Sequence, residues 1–396
     1  MSRILLGVTG GIAAYKAPEV TRAFIKEGHE VEIILTEAGE QFVSPLALAT
    51  LLEKKIWRQS DFLSSGYGWQ IPHISLSRWA DVLVIAPCTA ETLSGLASGR
   101  AESLLSATAL ALPEYKPVVV FPAMNTNMLS NAATVENMRI LNQRGIFVID
   151  PDSGMLACGE EGRGRLPSPE DIIEETRRAV YIKSSEPHKL MLGKKVLITS
   201  GATQEYIDPV RFISNASSGK MGAALARTAW RRGAEVRVIL GAHTASPVHG
   251  VNTIDVISAY DMLIAVLENL EWADIIVKAA AVSDYRAENL SDEKIKREGN
   301  SVLSVNLIQN PDIAFEIGKL KRDDQILVGF ALETDNMIEN AVAKMKRKNM
   351  DRIILNGVRA LGADINDVTL IRRNGSNVSF DGSKEDIANG LWDDLS

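Results

Sequence analysis

The chain has 396 residues, with 43 Lys and Arg against 50 Asp and Glu, a net charge of −7, and 46% hydrophobic residues. This balance excludes a disordered or collagen-like polymer and argues against bulk attraction to nucleic acid or anionic lipid, while leaving a local basic pocket open. Two cysteines, Cys88 and Cys158, are too few for a disulfide-stapled secreted fold, and the length suggests two domains.

In chain order, residues 3–9 (RILLGVT) read as a short β run ending at Gly10-Gly11. Residues 12–27 carry apolar positions at helical spacing and stop at Gly28, and VEIILT (31–36) reads as a second strand. Continuous apolar strands of this kind belong to a parallel sheet covered by helices on both faces. Residues 80–87, 116–123 and 144–150 supply further strands. The N-terminal apolar stretch is too short for a signal peptide, and no run approaches the ~20 residues of a membrane span. A cytoplasmic protein with no membrane or nucleic-acid partner is expected.

The pattern restarts at residue 194: KKVLITSGAT runs as a strand into glycine, 222–233 is helical, 234–241 is a strand, and 273–285 is a strand emptying into a small-residue loop. Residues 181–193 are polar and irregular. The expected fold is therefore α/β, with two doubly wound, mainly parallel, Rossmann-like sheets in tandem: 1–180, a linker at 181–193, and 194–396. Ligands of such sheets sit beyond the carboxyl ends of the strands, so the loops there carry the candidate chemistry.

In the first half, Gly10 and Gly11 stand where a strand turns into a helix and backbone N–H groups can approach an anion. The spacing is not G-x-G-x-x-G, and a ligand-free turn fits it equally well. Thr36 and Thr89 add hydroxyls at strand ends, which suit a mononucleotide phosphate better than NAD. His73 (IPHISLSRWAD), Asn125 (FPAMNTNM) and Cys158 (GMLACGEEGRGRL, 154–166) stand out, the last in a glycine-dense loop expected to have little regular structure and to act as a mobile lid. Each has a bland alternative: a structural histidine, a turn or cap asparagine, a filler cysteine.

In the second half, residues 210–222 (VRFISNASSGKMG) fail the P-loop pattern at Ser214 and Met221, which leaves a hydroxyl-rich loop opening a helix. A plain N-cap from Ser217 or Ser218 fits it as well. Downstream come Asp284-Tyr285-Arg286, the basic run Lys294-Ile295-Lys296-Arg297, the turn Asn310-Pro311-Asp312-Ile313, the strand end Gly329-Phe330-Ala331-Leu332-Glu333-Thr334, and Lys344 and Lys348 at i and i+4. Lysines in separate segments of an acidic chain match what a triphosphate clamp needs, although solvated helix faces carry such runs too.

Together, GVTGGIAAYK, the histidine of HISLSRWAD, PAMNTNM and ACGEEGRGR resemble the flavin-dependent cysteine decarboxylases, and ISNASSGKMG, AAVSDY, KIK and GFALET resemble a CTP-dependent ligase. The pair, in this order, resembles the bifunctional phosphopantothenoylcysteine decarboxylase / phosphopantothenate–cysteine ligase family of coenzyme A synthesis over essentially the whole chain. The resemblance implies FMN in the first half, with His73 as base, Asn125 as contact to the substrate carboxylate, and Cys158 as the acid that reprotonates the reduced enethiol. It implies CTP with Mg²⁺ in the second. There Asn215 and Arg211 lie by the acyl-cytidylate, while Asp284, Lys294, Pro311, Asp312, Ile313, Ala314, Phe330, Lys344 and Lys348 contact the nucleotide, and Lys294 also serves the aminolysis step. It further implies a homo-oligomer, with trimeric N-terminal and dimeric C-terminal domains and a possible dodecamer. Departures from the family pattern fall at Cys88, Glu91, Leu129 and the pair Glu102-Ser103. Neither FMN over another phosphate ligand nor CTP over ATP follows from residue pattern alone.

Overall fold

In the computed structural model, which describes residues 1–64, 66, 70–157, 159–296, 303–332, 337–356 and 365–395, the opening apolar run forms β1 (Arg3–Val8). A 3-10 turn at Ile12–Lys16 then leads into α1 (Ala17–Lys26). Along the chain follow β2 (Glu30–Leu35), α2 (Pro45–Leu52), β3 (Trp57–Arg58), α3 (Pro72–Trp79), β4 (Val82–Cys88), α4 (Ala90–Ser98) and α5 (Leu104–Leu110). The half closes with β5 (Val118–Pro122), α6 (Thr126–Ser130), α7 (Ala132–Gln143), β6 (Phe147–Val148), β7 (Asp152–Met155), β8 (Glu161–Arg165) and α8 (Pro169–Ser184). The strands β1 to β6 make one parallel sheet in the order β3-β2-β1-β4-β5-β6. Winding reverses between β1 and β4, which opens a crevice at their carboxyl ends. Successive side chains of a strand point to opposite faces. Ile4, Leu6 and Val8 accordingly pack with Val20, Phe24 and Ile172, whereas Leu5, Leu83 and Ile85 pack with Leu76, Leu104 and Leu105.

The second half comprises β9 (Lys195–Ser200), β10 (Gln204–Tyr206), β11 (Phe212–Ser214), α9 (Lys220–Arg231), β12 (Glu235–Leu240), β13 (Asn252–Asp255), α10 (Ala259–Leu270) and β14 (Ile275–Lys278). It continues through β15 (Tyr285–Ala287), β16 (Leu307–Gln309), α11 (Ile313–Leu320), β17 (Ile326–Leu332), α12 (Met337–Arg347), β18 (Arg352–Asn356), β19 (Ile365–Arg372), β20 (Asn377–Ser383) and α13 (Lys384–Leu395). Its main sheet runs β13-β12-β9-β14-β17-β18-β19-β20, parallel as far as β18 and antiparallel beyond it. One face is covered by Leu225, Ala229, Leu391 and Trp392, the other by Met262, Val266, Ile317, Ala341 and Met345. The α/β, doubly wound arrangement expected from the sequence is present in both halves.

Four details differ from expectation. Residues 181–184 are not linker but the last turn of α8, and the two compact units are Met1–Ser185 and Glu186–Ser396. The loop at 154–166 is largely regular: β7 and β8 pair as an antiparallel hairpin. Strand pairing between residues 273 and 285 is limited to β14, a single bridge from Ala281 to Ala202 and the start of β15, and Lys348 lies one residue past the end of α12, its N–H donating to Lys344 O at 3.0 Å. Cys158, Arg297, Glu333 and Thr334 lie outside the described residues.

Candidate active sites

A cavity of about 1460 Å³ occupies the crevice of the first unit, lined by Thr9, Gly10, Gly11, Thr36, Thr89 and Asn125 among others. The glycine turn is required by crowding on one side and leaves room on the other. A Cβ on Gly10 would stand 2.3 Å from Ala38 Cβ, whereas one on Gly11 would meet nothing closer than Thr89 Cγ2 at 3.7 Å. The hydroxyls of Thr36 and Thr9 hold strand ends together, and that of Thr89 caps a helix. Thr36 Oγ1 donates to Val8 O at 3.2 Å and accepts from Gly39 N at 3.2 Å. Thr89 Oγ1 accepts from Thr92 N at 3.3 Å, capping α4, and Thr89 N donates to Thr9 Oγ1 at 3.1 Å.

Asn125 caps α6: its Oδ1 accepts from Asn127 N at 2.8 Å, and its Nδ2 donates to Glu160 Oε2 at 3.2 Å. The β7–β8 hairpin is pinned to the same loop, with Met124 N donating to Gly164 O at 3.1 Å and Thr126 Oγ1 to Arg163 O at 2.9 Å. Across the hairpin end, Leu156 N donates to Glu160 O at 2.8 Å. The chain on either side of position 158 is thus tied to Asn125. His73 is elsewhere. It sits in the first turn of α3 with its ring edge-on to Phe62 at 5.5 Å, its Nδ1 is buried without a hydrogen-bond partner among the described residues, and it is not among the residues lining the cavity. Cys88, fully buried at the end of β4, has its thiol pushed up by burial and is no candidate nucleophile.

In the second unit, a buried carboxylate that sequence reasoning missed organises the loops. Asp208 Oδ1 accepts from Val210 N and Arg211 N, both at 2.8 Å, and its Oδ2 accepts from Arg211 NH1 at 2.6 Å and from Ile295 N at 3.1 Å. Burial alone would raise its carboxyl, but these N–H donors and the Arg211 charge hold it below the ordinary value. Arg211 also donates to Ile295 O at 3.2 Å, so the backbone next to Lys294 is fastened to Arg211. Asn215 Nδ2 donates to Val282 O at 2.9 Å, and Asn310 Nδ2 to Ser283 O at 2.9 Å, which joins the hydroxyl-rich loop and the 310 turn to the loop after β14. Lys348 Nζ lies 2.7 Å from Asp312 Oδ2.

Lys278, the last residue of β14, was also missed. Burial, then the nearby Lys348 and Lys344 charges, push its amine down to about 8 against the pull of Asp312 and Asp284. A cation closing the apolar run Ile275-Ile276-Val277 was the available signal. Arg211 and the residues beside Lys294 thus come together around Asp208, and Asp312, Lys344 and Lys348 gather around Lys278. Among the described residues no group of three His, Cys, Asp or Glu is placed to hold a metal ion, and no helix is long and apolar enough to cross a membrane.

A crevice cavity in one doubly wound unit and a lysine cluster at the strand ends of another define a two-site α/β enzyme. A family model described as "Flavoprotein" matches residues 1–181, and one described as "DNA/pantothenate metabolism flavoprotein C-terminal domain" matches residues 191–396. The Coenzyme A biosynthesis bifunctional protein CoaBC of Vibrio cholerae is 38% identical, over 92% of this chain and 89% of the relative. Its namesake from Haemophilus influenzae is 39% identical, over 99% and 96%. A cysteine/cysteine sulfinic acid decarboxylase from an unknown prokaryotic organism is 43% identical, over 86% and 94%. The chain belongs to the family of bifunctional coenzyme A biosynthesis proteins, in which a flavoprotein decarboxylase half precedes a ligase half.

Proposed function

We propose that the second unit joins cysteine to 4′-phosphopantothenate using CTP and Mg²⁺, and that the first unit decarboxylates the product to 4′-phosphopantetheine with FMN. The observation that carries the ligase half is the gathering of Lys278, Lys344 and Lys348 about Asp312 in a chain of net charge −7. Such a cluster suits a polyphosphate. The substrate carboxylate attacks the α-phosphorus, and the electron pair of the broken P–O bond leaves with pyrophosphate. The cysteine amine then attacks the acyl carbon, CMP departs, and the amine loses a proton. In this reading Asp284, Lys294, Pro311, Asp312, Ile313, Ala314, Phe330, Lys344 and Lys348 hold the nucleotide, and Mg²⁺ enters with it. Arg211 and Asn215 hold the acyl intermediate, and Lys294 assists the aminolysis.

For the first unit, fit supports FMN. The cavity of about 1460 Å³ exceeds the ~300–1,000 Å³ of most single-ligand pockets, and the open side of Gly11 admits a phosphate. Gly10, Gly11, Thr36 and Thr89 would hold it there. FMN supplies reversible two-electron chemistry at the cysteinyl side chain. Asn125 orients the departing carboxylate, Cys158 delivers the proton that completes the product, and His73 acts as base. Because His73 does not line its own cavity, the proposed homo-oligomer, with trimeric first units and dimeric second units, brings the His73 of a neighbouring copy to the site.

Chromatography of the flavin released from purified protein and of the nucleotide products tests both assignments. FMN near one per chain, and CMP rather than AMP, are expected. A protein that neither carries nor takes up FMN, or one that forms AMP, contradicts the reading.

A further inference from the structure

Arg211 and Lys294 stand on elements with little packing of their own. Residues 288–296 form neither helix nor strand, and Lys294 is exposed. Among the described residues, the hydrogen bonds that tie 291–296 to the rest of the second unit all reach the turn between β10 and β11. Ser291 N donates to Ile207 O at 3.0 Å, Ile295 N to Asp208 Oδ2 at 3.1 Å, and both terminal nitrogens of Arg211 to Ile295 O at 3.2 Å. Asp208 is fully buried within this turn. Its Oδ1 takes N–H donors from Val210 and Arg211, and its Oδ2 takes two more, from the Arg211 side chain and Ile295. A carboxylate only accepts, and here each oxygen is filled by two donors. One buried charge therefore sets both the direction of the Arg211 guanidinium and the course of the backbone beside Lys294.

We propose that Asp208 is a positioning residue of the ligation reaction, acting through Arg211 and Lys294 on transfer of the acyl group to cysteine rather than on capture of the nucleotide. This rests on the ligase reading of the second unit. In that transfer the cysteine amine forms the C–N bond, the C–O bond to CMP breaks with its electron pair leaving on CMP, and the amine gives up a proton to solvent. Groups around the reacting carbon must keep their register while charge moves onto the departing phosphate, and a displacement of ~1 Å costs as much as about 100-fold in rate. The lysine cluster proposed to hold the polyphosphate is built on β14 and the ends of α11 and α12. The nucleotide therefore keeps most of its contacts when Asp208 is changed.

The test is Asp208→Asn in the full-length protein, with pyrophosphate and CMP measured separately. The amide has the same shape, yet whichever way it turns, its NH₂ faces two N–H donors and the clamp opens. Rapid mixing with CTP, MgCl₂ and 4′-phosphopantothenate is expected to keep a pyrophosphate burst of about one per chain, with the KM for CTP within about threefold of wild type. CMP release on adding cysteine is expected to fall about 10- to 100-fold. In a Lys294→Gln background the further loss is expected to be less than about threefold, because a residue that acts through another is not additive with it. A merely structural carboxylate would multiply the two losses. Unchanged CMP release, losses that multiply, or a KM for CTP that rises in step with the lost rate overturns the proposal. Should Asp208→Asn not unfold cooperatively, Asp208→Glu keeps the charge but moves it by one methylene, and the same partition with a smaller loss is expected, under the same overturning results. Wild-type protein that releases no pyrophosphate overturns the ligase reading instead, and hydrogen exchange then decides Asp208 by itself. Amides of 291–296 that exchange faster in the variant than in wild type support the clamp, and equal exchange overturns it.

Discussion

Lys348 Nζ sits 2.7 Å from Asp312 Oδ2, which joins the residue after α12 to the N-cap of α11. The carboxylate does two jobs, since Asp312 Oδ1 also accepts from Phe315 N at 3.2 Å. Burial pushes the Asp312 carboxyl up, but Lys348, the Phe315 N–H and Lys278 outweigh it and hold it below the ordinary value. The stability it contributes is therefore present above the unfolded carboxyl range, about pH 4, and is lost as pH falls through the lower folded value. Asp312→Ala is expected to cost about 1–2 kcal/mol near neutral pH, as capping losses do. The gap from wild type narrows below pH ~4. Denaturant midpoints at the two pH values check it.

Asn125 Nδ2 donates to Glu160 Oε2 at 3.2 Å, so the amide proposed to orient the substrate is itself aimed by the hairpin. Glu160→Ala is expected to lower decarboxylation about 3- to 10-fold, the loss of one partly exposed hydrogen bond, and to leave CMP release from the second unit unchanged. Equal loss in both half-reactions would place the effect on folding.

Cys158→Ser is expected to leave ligation intact and to stop decarboxylation after CO₂ loss, because a serine hydroxyl is a far weaker acid than a thiol. Mass spectrometry of the bound or released product two hydrogens short of phosphopantetheine checks this. Full turnover would remove the assigned proton-donor role.

Lys278 also gives a pH signature in the unliganded protein. Its folded value is about 8, below the ordinary lysine value of 10.5, so between the two the unfolded chain binds more protons than the folded one. Stability attributable to this residue therefore rises with pH across that window. Compared with Lys278→Met, wild type is expected to gain in denaturant midpoint from pH 8 to pH ~10.5. A difference that stays flat contradicts the buried-amine description.

Much of this was legible from residue order because parallel strands announce themselves as continuous apolar runs: RILLGVT and VEIILT became β1 and β2 with Arg3 opposite Glu30. The hairpin at 152–165 was not. Its glycines and charges offer no apolar period, and it is held by backbone bonds to Met124 and by Thr126. The β19–β20 pair did carry a signal, Asn374-Gly375 between two alternating runs, where Gly375 N donates to Arg372 O at 2.8 Å. Lys278 could not be joined to Lys344 and Lys348 without the fold, because some 66 residues separate it from Lys344 and the parallel sheet brings them together. That His73 lies off the cavity was equally invisible, since spacing does not say on which side of a helix layer a side chain ends.

In the proposed function one chain performs both steps in sequence. Purified protein is incubated with 4′-phosphopantothenate, CTP, Mg²⁺ and cysteine labelled with ¹³C at its carboxyl. Labelled CO₂, CMP and unlabelled 4′-phosphopantetheine in equal amounts, with nothing released when CTP is left out, is the predicted result. Labelled CO₂ from free cysteine without CTP, or no CMP at all, would contradict it.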